Sequence, residues 1–310
     1  MHPRRWDVVI VGAGPAGLSA ALYAARFRRT TLVLHDGTAR ALRAPMAHNV
    51  PGYEHGIPGA ELIERMHRHA SRYGARIEQT GVRRVAREDA CFVLTCADGR
   101  RIESRTVVLA TGVHLGNVPL EGEARQRAID ANALRYCPIC DGFEQSGRRV
   151  AVYTDREAGV AEALFFQQFT PRILVALAPG TVVSPLCART IEHAGIQQIA
   201  NAHVTFDAER PGVTIRSGRD GSAQHVDVLY PSLGSQARSD LAVALGLPVD
   251  EAGCVDAQAP SGTAIPGLYC AGDVVAGLDQ ITIALGHGAQ AATSAHNWLR
   301  EADGDCLPNG

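Results

Sequence analysis

Val8-Val9-Ile10-Val11-Gly12-Ala13-Gly14-Pro15-Ala16-Gly17 is the stretch on which the reading of this chain turns. Its first four residues are an unbroken apolar run, the pattern of a parallel strand buried on both faces. The remainder fits Gly-x-Gly-x-x-Gly, and the small apolar residues from Leu18 to Ala25 suit a helix packed tightly on a sheet. Each glycine has a physical reason: the first makes a tight turn, the second lets a diphosphate approach the backbone, and the third permits close helix–strand packing. The helix then offers free N–H groups and its positive dipole end to the phosphates. Thr31 to Leu34 reads as the next strand. Asp36 stands at its end, 19 residues beyond Gly17, where a carboxylate would accept hydrogen bonds from a ribose. A glycine turn alone is a weak signal; strand, turn, helix and acid together predict a nucleotide site.

Beyond this unit, a helix is expected over 60–73, short strands over 76–96, and a buried strand over 106–110 that closes at Thr111-Gly112. A second unit of the same kind follows, with strands over 149–153 and 173–177 around a helix over 159–169. From Val226 a strand-rich tail is expected. Leu268-Tyr269-Cys270-Ala271-Gly272-Asp273 reads as a strand running into a turn, with a long helix from about 280 to 299. The fold class is therefore α/β, with two Rossmann-like βαβ nucleotide-binding domains.

Composition narrows the chemistry. At 310 residues the chain is long enough for two domains, and 46% hydrophobic against 20% charged residues supports packed cores. A formal net charge of −2 with no basic stripe argues against a nucleic-acid partner. All 30 basic residues are arginine, which excludes mechanisms built on a lysine, such as Schiff bases and the P-loop. Arg4-Arg5 ahead of an apolar run could open a signal segment, but Gly12, Gly14, Pro15 and Gly17 break that run. No stretch approaches the ~20 apolar residues of a membrane span. A cytoplasmic protein with one special cysteine pair is the expectation.

That pair is Cys137-Pro138-Ile139-Cys140, followed by Asp141-Gly142. Two thiols with this spacing can close a small disulfide and often include a thiolate of lowered pKa. Exchange with an outside disulfide then runs through a mixed disulfide that the second thiol resolves. The acid beside the pair can supply or accept the proton this chemistry needs. The rival reading, half of a zinc site, requires a second pair at ligand spacing. Cys91, Cys96, Cys187, Cys254, Cys270 and Cys306 form none, and no metal is expected.

Gly12–Gly17, Ala110-Thr111-Gly112, Cys137–Gly142 and Ala271-Gly272-Asp273 together resemble, in order and spacing, the low-molecular-weight thioredoxin reductases; Asn49-Val50-Pro51-Gly52 matches a further segment of that family. The resemblance spans essentially the whole chain. It implies FAD held by a discontinuous domain of residues 1–117 and 249–310, with a middle domain over 118–248 carrying the cysteines. By the same resemblance Gly12, Ala13, Gly14, Pro15, Ala16 and Gly17 face the FAD diphosphate and Asp36 the adenosine ribose. Asn49, Thr111, Gly112, Gly272, Asp273, Gln280 and Ile281 complete the flavin surroundings. Cys140 would be the flavin-proximal sulfur, Cys137 the one that attacks the partner, and Asp141 the acid–base. A thioredoxin-like partner and a homodimer are further implications.

Two departures stand out. Where NADPH-using relatives carry a second glycine fingerprint, this chain has Tyr153-Thr154-Asp155-Arg156-Glu157-Ala158-Gly159. Side chains and negative charge thus sit where a backbone should meet phosphates, and Thr154 or Asp155 could serve instead as a helix N-cap. After the next strand, the arginines that would hold a 2′-phosphate are replaced by Ala176-Leu177-Ala178-Pro179. The specific reasons to expect NADPH affinity are missing. The expected function is a FAD-dependent dithiol–disulfide oxidoreductase acting on a protein or small-molecule disulfide. Its donor is left open between NAD(P)H and a ferredoxin-type carrier. The alternative is a dithiol oxidase that closes a substrate disulfide with oxygen as acceptor.

Overall fold

The structure, a computed structural model, describes residues 5–89, 91–256 and 258–305, so Arg4 and Cys306 lie outside the described residues. The chain divides into two compact units. The first gathers residues up to 42, 60–114 and those from 236 onward, and the second gathers 43–59 and 115–235. Two segments fall elsewhere than a division at 117 and 248 would place them. Residues 43–59 close on themselves through paired backbone hydrogen bonds between Ala47 and Ile57. They are tied within the second unit by Arg43, which donates to Asn117 and lies over the Tyr136 ring. Residues 236–248 belong with the first unit because Ala242 and Leu247 are buried in a core with Val85.

In the first unit the strand Trp6–Val11 lies between Thr31–His35 and Arg101–Leu109, parallel to both. The seven-stranded sheet continues to Arg76–Gln79 on one side and to the antiparallel strands Cys91–Cys96 and Val82–Glu88 on the other. Arg101–Leu109 changes partner along its length: Arg101 to Ser104 pair with Cys91–Cys96, whereas Val107 to Leu109 pair with Leu268–Cys270. The two ends of the chain thereby meet in one sheet.

The helices Pro15–Arg26 and Ile281–Asp303 cover one face, and their contact is made of small residues. Ala20, Ala21, Ala24, Ala291, Ala292 and Ala295 are fully buried there. At the closest point a Cβ on Gly288 would lie 2.1 Å from the Ala16 carbonyl oxygen, so only glycine fits. The last helix runs to Asp303, beyond the expected end, and stops at Gly304 in the left-handed conformation.

The second unit holds a four-stranded parallel sheet in the order Gln197–Ile199, Ile173–Leu177, Val150–Thr154, Val228–Ser232. Val150–Thr154 and Ile173–Leu177 are buried at every position, as their apolar runs predict. A separate antiparallel sheet comprises Ala202–Phe206, Val213–Ser217 and Ala223–Val226. Strands therefore concentrate between 197 and 237, and the expected strand-rich tail beyond Val226 is mostly turns. Loop-favouring residues such as Asp250, Gly253 and Gly262 interrupt any alternation there.

Gly288→Ala should destabilise the protein by about 1–3 kcal/mol through overpacking against Ala16. Gly286→Ala, where nothing lies within 4 Å of the new methyl, should be neutral or stabilising. Chemical denaturation of the two variants checks the contrast.

Candidate active site

The turn after Trp6–Val11 takes its shape from its glycines. Gly12 has φ +114°, and a Cβ there would meet the Ala110 carbonyl oxygen at 2.1 Å. Gly17 backs onto the Gly12 carbonyl oxygen, 1.9 Å from where its Cβ would be. Gly14 is open: nothing lies closer than 4.0 Å in front of it. It caps the helix Pro15–Arg26 without a side-chain hydrogen bond, and the first turn carries no acid. The free N–H groups of that turn therefore face a cleft of about 320 Å³.

The cleft is lined by Gly12 to Ala16, Asp36, Thr111, Gly112, Gly272 and Asp273. This donor set and its open backbone fit the diphosphate of a dinucleotide such as FAD. Gly17 shapes the turn from behind and does not line the cleft. Gln280 is the buried N-cap of Ile281–Asp303, and Ala284, one turn on, is the residue of that helix that lines the cleft. Asn49 lies in the second unit, with its side-chain amide 3.5 Å from the Ile139 carbonyl oxygen.

Two arginines that motif reading missed set the charge of this cleft. Arg40 bridges Asp273 at 3.0 Å and Asp279 at 2.9 Å, so a carboxylate beside the phosphate position is neutralised. Arg238 donates to Asp36, which also accepts from Thr38. Burial would raise the Asp36 carboxyl, but these donors outweigh it and hold it down at about 2. Asp36 thus reaches the cleft already partnered. Arg238 lies 202 residues from Asp36 in the chain, and no local spacing signals their meeting.

In the second unit Cys137 and Cys140 form a disulfide at the start of the short helix Pro138–Asp141. Gly142 is required behind it, because a Cβ would lie 2.6 Å from the Pro138 carbonyl oxygen and 2.8 Å from the Phe169 ring. Asp141 turns inward and is 4% exposed. Its Oδ1 accepts from the Tyr230 hydroxyl at 2.6 Å, and its Oδ2 lies 2.9 Å from Arg135 Nη1. Ile139 and Phe143 flank the pair and are exposed. No His, Cys, Asp or Glu group suited to a metal occurs among the described residues.

The second βαβ turn has the outline of a phosphate site and different contents. Thr154 donates to the carbonyls of Arg156 and Ser232 and accepts from the Arg156 amide. A Cβ on Gly159 would lie 2.3 Å from Thr154 Cβ, so the threonine side chain occupies the inside of the turn. Arg156 pairs with Asp155 and donates to the Leu233 carbonyl. Glu157 accepts from the Ser184 amide. The N-cap of the helix Ala158–Phe165 is Glu157 rather than Thr154 or Asp155, and its side chain makes no cap bond.

The family described as pyridine nucleotide-disulphide oxidoreductase matches residues 6–288. The chain is 28% identical to the thioredoxin reductase of Mycolicibacterium smegmatis, over 96% of this chain and 97% of that one. In fold it is similar to the thioredoxin reductase from Streptococcus pyogenes MGAS5005, with a TM-score of 0.85, 23% identity, and 96% and 99% of the two chains covered. It is also 31% identical to the atypical thioredoxin reductase TRi from Desulfovibrio vulgaris Hildenborough, over 96% and 99% of the chains, with a TM-score of 0.54. No helix among the described residues is long and apolar enough to cross a membrane.

Asp36 has a folded-state value below its unfolded one, so its contribution to stability is present above about pH 4 and fades as the pH falls toward 2. Arg238→Met should return Asp36 toward an ordinary carboxylate value, by a unit or more, and flatten the stability profile across that window. Carboxyl NMR titration and denaturation at stepped pH read the two effects.

Proposed function

Because the chain belongs to the pyridine nucleotide-disulphide oxidoreductase family, we propose that it is a flavin-dependent, thioredoxin reductase-like enzyme. It passes two electrons from reduced FAD to the Cys137–Cys140 disulfide, and from the resulting dithiol to the disulfide of a thioredoxin-like protein or a small molecule. The observation that carries this reading is the Cys-Pro-Ile-Cys pair, drawn together as a disulfide with a buried acid directly after it.

When bound, FAD supplies a two-electron carrier. The chain's own residues do the rest. Gly12 to Ala16 and the helix N-terminus would hold the diphosphate, with Arg40 pairing Asp273 in the same cleft. Breaking the S–S bond takes two electrons and leaves two thiols once two protons have been taken up. The outer thiolate attacks the partner disulfide, forming a mixed disulfide and releasing one partner thiolate; the second cysteine then displaces the other and restores the pair. Asp141 is the acid beside this exchange. Five other described cysteines are free, which supports a reducing, cytoplasmic setting. Homodimeric assembly rests on the resemblance alone.

NADPH is not its efficient donor in this reading. The second βαβ turn is filled by Thr154 and Arg156, and its helix start carries Glu157 where a diphosphate would need bare N–H groups. A reduced carrier of the ferredoxin type then delivers electrons to the flavin; run in reverse, a substrate dithiol would reduce the Cys137–Cys140 disulfide and the flavin, with oxygen taking the two electrons as hydrogen peroxide.

Anaerobic mixing of the oxidised holoenzyme with NADPH should leave the flavin absorbance unbleached, while a dithiol bleaches it. Rapid bleaching by NADPH would sink the donor assignment. Cys137→Ser and Cys140→Ser should each abolish disulfide exchange, by 10³-fold or about that, while retaining flavin. Exchange that survives both substitutions would sink the function itself.

A further inference from the structure

Arg135 and Asp141 are both nearly excluded from water, at 6% and 4% exposed, and Tyr230 is fully buried. Such a grouping is expensive to bury unless its members satisfy one another. The carboxylate does well: one oxygen accepts from Tyr230 at 2.6 Å and the other faces Arg135 at 2.9 Å. The guanidinium does less well. Its Nε and Nη1 have no hydrogen-bond partner among the described residues, the contact of Nη1 with Asp141 being an ion pair without hydrogen-bond alignment. Asp141 is thus the counter-charge of a buried cation, and neutralising it would leave that cation to bear the full penalty of burial.

Tyr230 cannot drift. It sits in the core of the parallel sheet with its ring 4.6 Å from that of Phe166, so its hydroxyl is a fixed donor. Asp141 adjoins Cys140 in the chain and ends the short helix that carries the pair. We infer that Arg135 and Tyr230 are positioning residues: they hold Asp141 in one place, as a carboxylate, while the adjoining Cys137–Cys140 pair changes redox state. This rests on the reading above that the pair is redox-active, and it adds two residues to that site.

The other charged groups facing Asp141 are Glu144 and His48, 3.6 Å apart as a pair, and Arg148 faces Tyr230. Burial pushes the Asp141 carboxyl above the ordinary carboxylate range, and Glu144 adds to the rise; Arg135, Tyr230 and His48 act against it. Removing Arg135 or Tyr230 therefore moves Asp141 further up. A thiolate formed on the reduced pair does the same, so the carboxyl binds its proton differently in the two redox states.

The test equilibrates the flavin-loaded protein with dithiothreitol across a range of pH and reads the fraction of Cys137–Cys140 disulfide by alkylation. The reaction balances: the protein S–S bond breaks and takes up two electrons and two protons, and dithiothreitol loses both as it closes its own disulfide. A plot of midpoint potential against pH bends wherever a coupled group titrates. The lowest bend should be absent in Asp141→Asn and should move up by about half to one pH unit in Tyr230→Phe, which keeps the packed ring. Arg135→Gln should move it further in the same direction, with circular dichroism confirming the fold of each variant. A wild-type line without that bend, or a bend that stays put in both variants, overturns the inference while leaving the redox pair intact. A pair that does not cycle with dithiothreitol at all overturns the proposed function, and the inference with it.

Discussion

The first unit depends on backbone packed directly against backbone. At Gly12, Gly17 and Gly288 the nearest atoms to an added Cβ are carbonyl groups at 1.9 to 2.1 Å. No rotamer change relieves such a clash, because the obstruction is main chain. The reward is a helix N-terminus brought close to the sheet, its open N–H groups held toward a cleft on rigid elements. The alanines of the two covering helices serve the same end, since larger side chains would lift both helices off the strands.

A second regularity concerns charge. Three carboxylates at or near the candidate sites are each met by an arginine: Asp36 by Arg238, Asp273 by Arg40, and Asp141 by Arg135. In a chain without lysine the guanidinium does this work everywhere. Its planar fork and weak hydration suit partly buried pairs better than an ammonium would. Exposure separates their consequences: Asp36 is held well down by its donors, whereas the deeply buried Asp141 is pushed up despite them. The same kind of partner thus accompanies shifts of opposite direction, set by how deeply each acid is buried.

The two βαβ turns share an outline and differ in what fills them. In one, Gly14 leaves space in front of the helix; in the other, Thr154 turns its hydroxyl onto the backbone of Arg156 and Ser232 and closes that space from within. Strand and helix survive such a change because their stability comes from buried apolar residues such as Val152, Val160 and Val175, which are indifferent to the turn. Phosphate binding would depend on the turn, which is where the two units differ.

Elements whose signals are local can be read from the residues alone. The apolar runs at Val8–Val11 and Ile173–Leu177, the glycine turn, the cysteine spacing and the missing second fingerprint were all legible, because strand burial, positive φ and a four-residue disulfide are properties of neighbouring residues. The strand-rich tail was misplaced, since the short strands before Val226 carry mixed polarity and owe their pairing to partners elsewhere. What each site residue meets is set by the folding of distant segments onto one another. Tyr230 reaches Asp141 across 89 residues, and Arg238 reaches Asp36 across 202. That folding also decided that 43–59 belongs with the cysteine-bearing unit and that Gln280 stands at the N-cap of the last helix. Those pairings follow from how strands are ordered and helices laid across them, and no local pattern encodes a contact between residues so far apart in the chain.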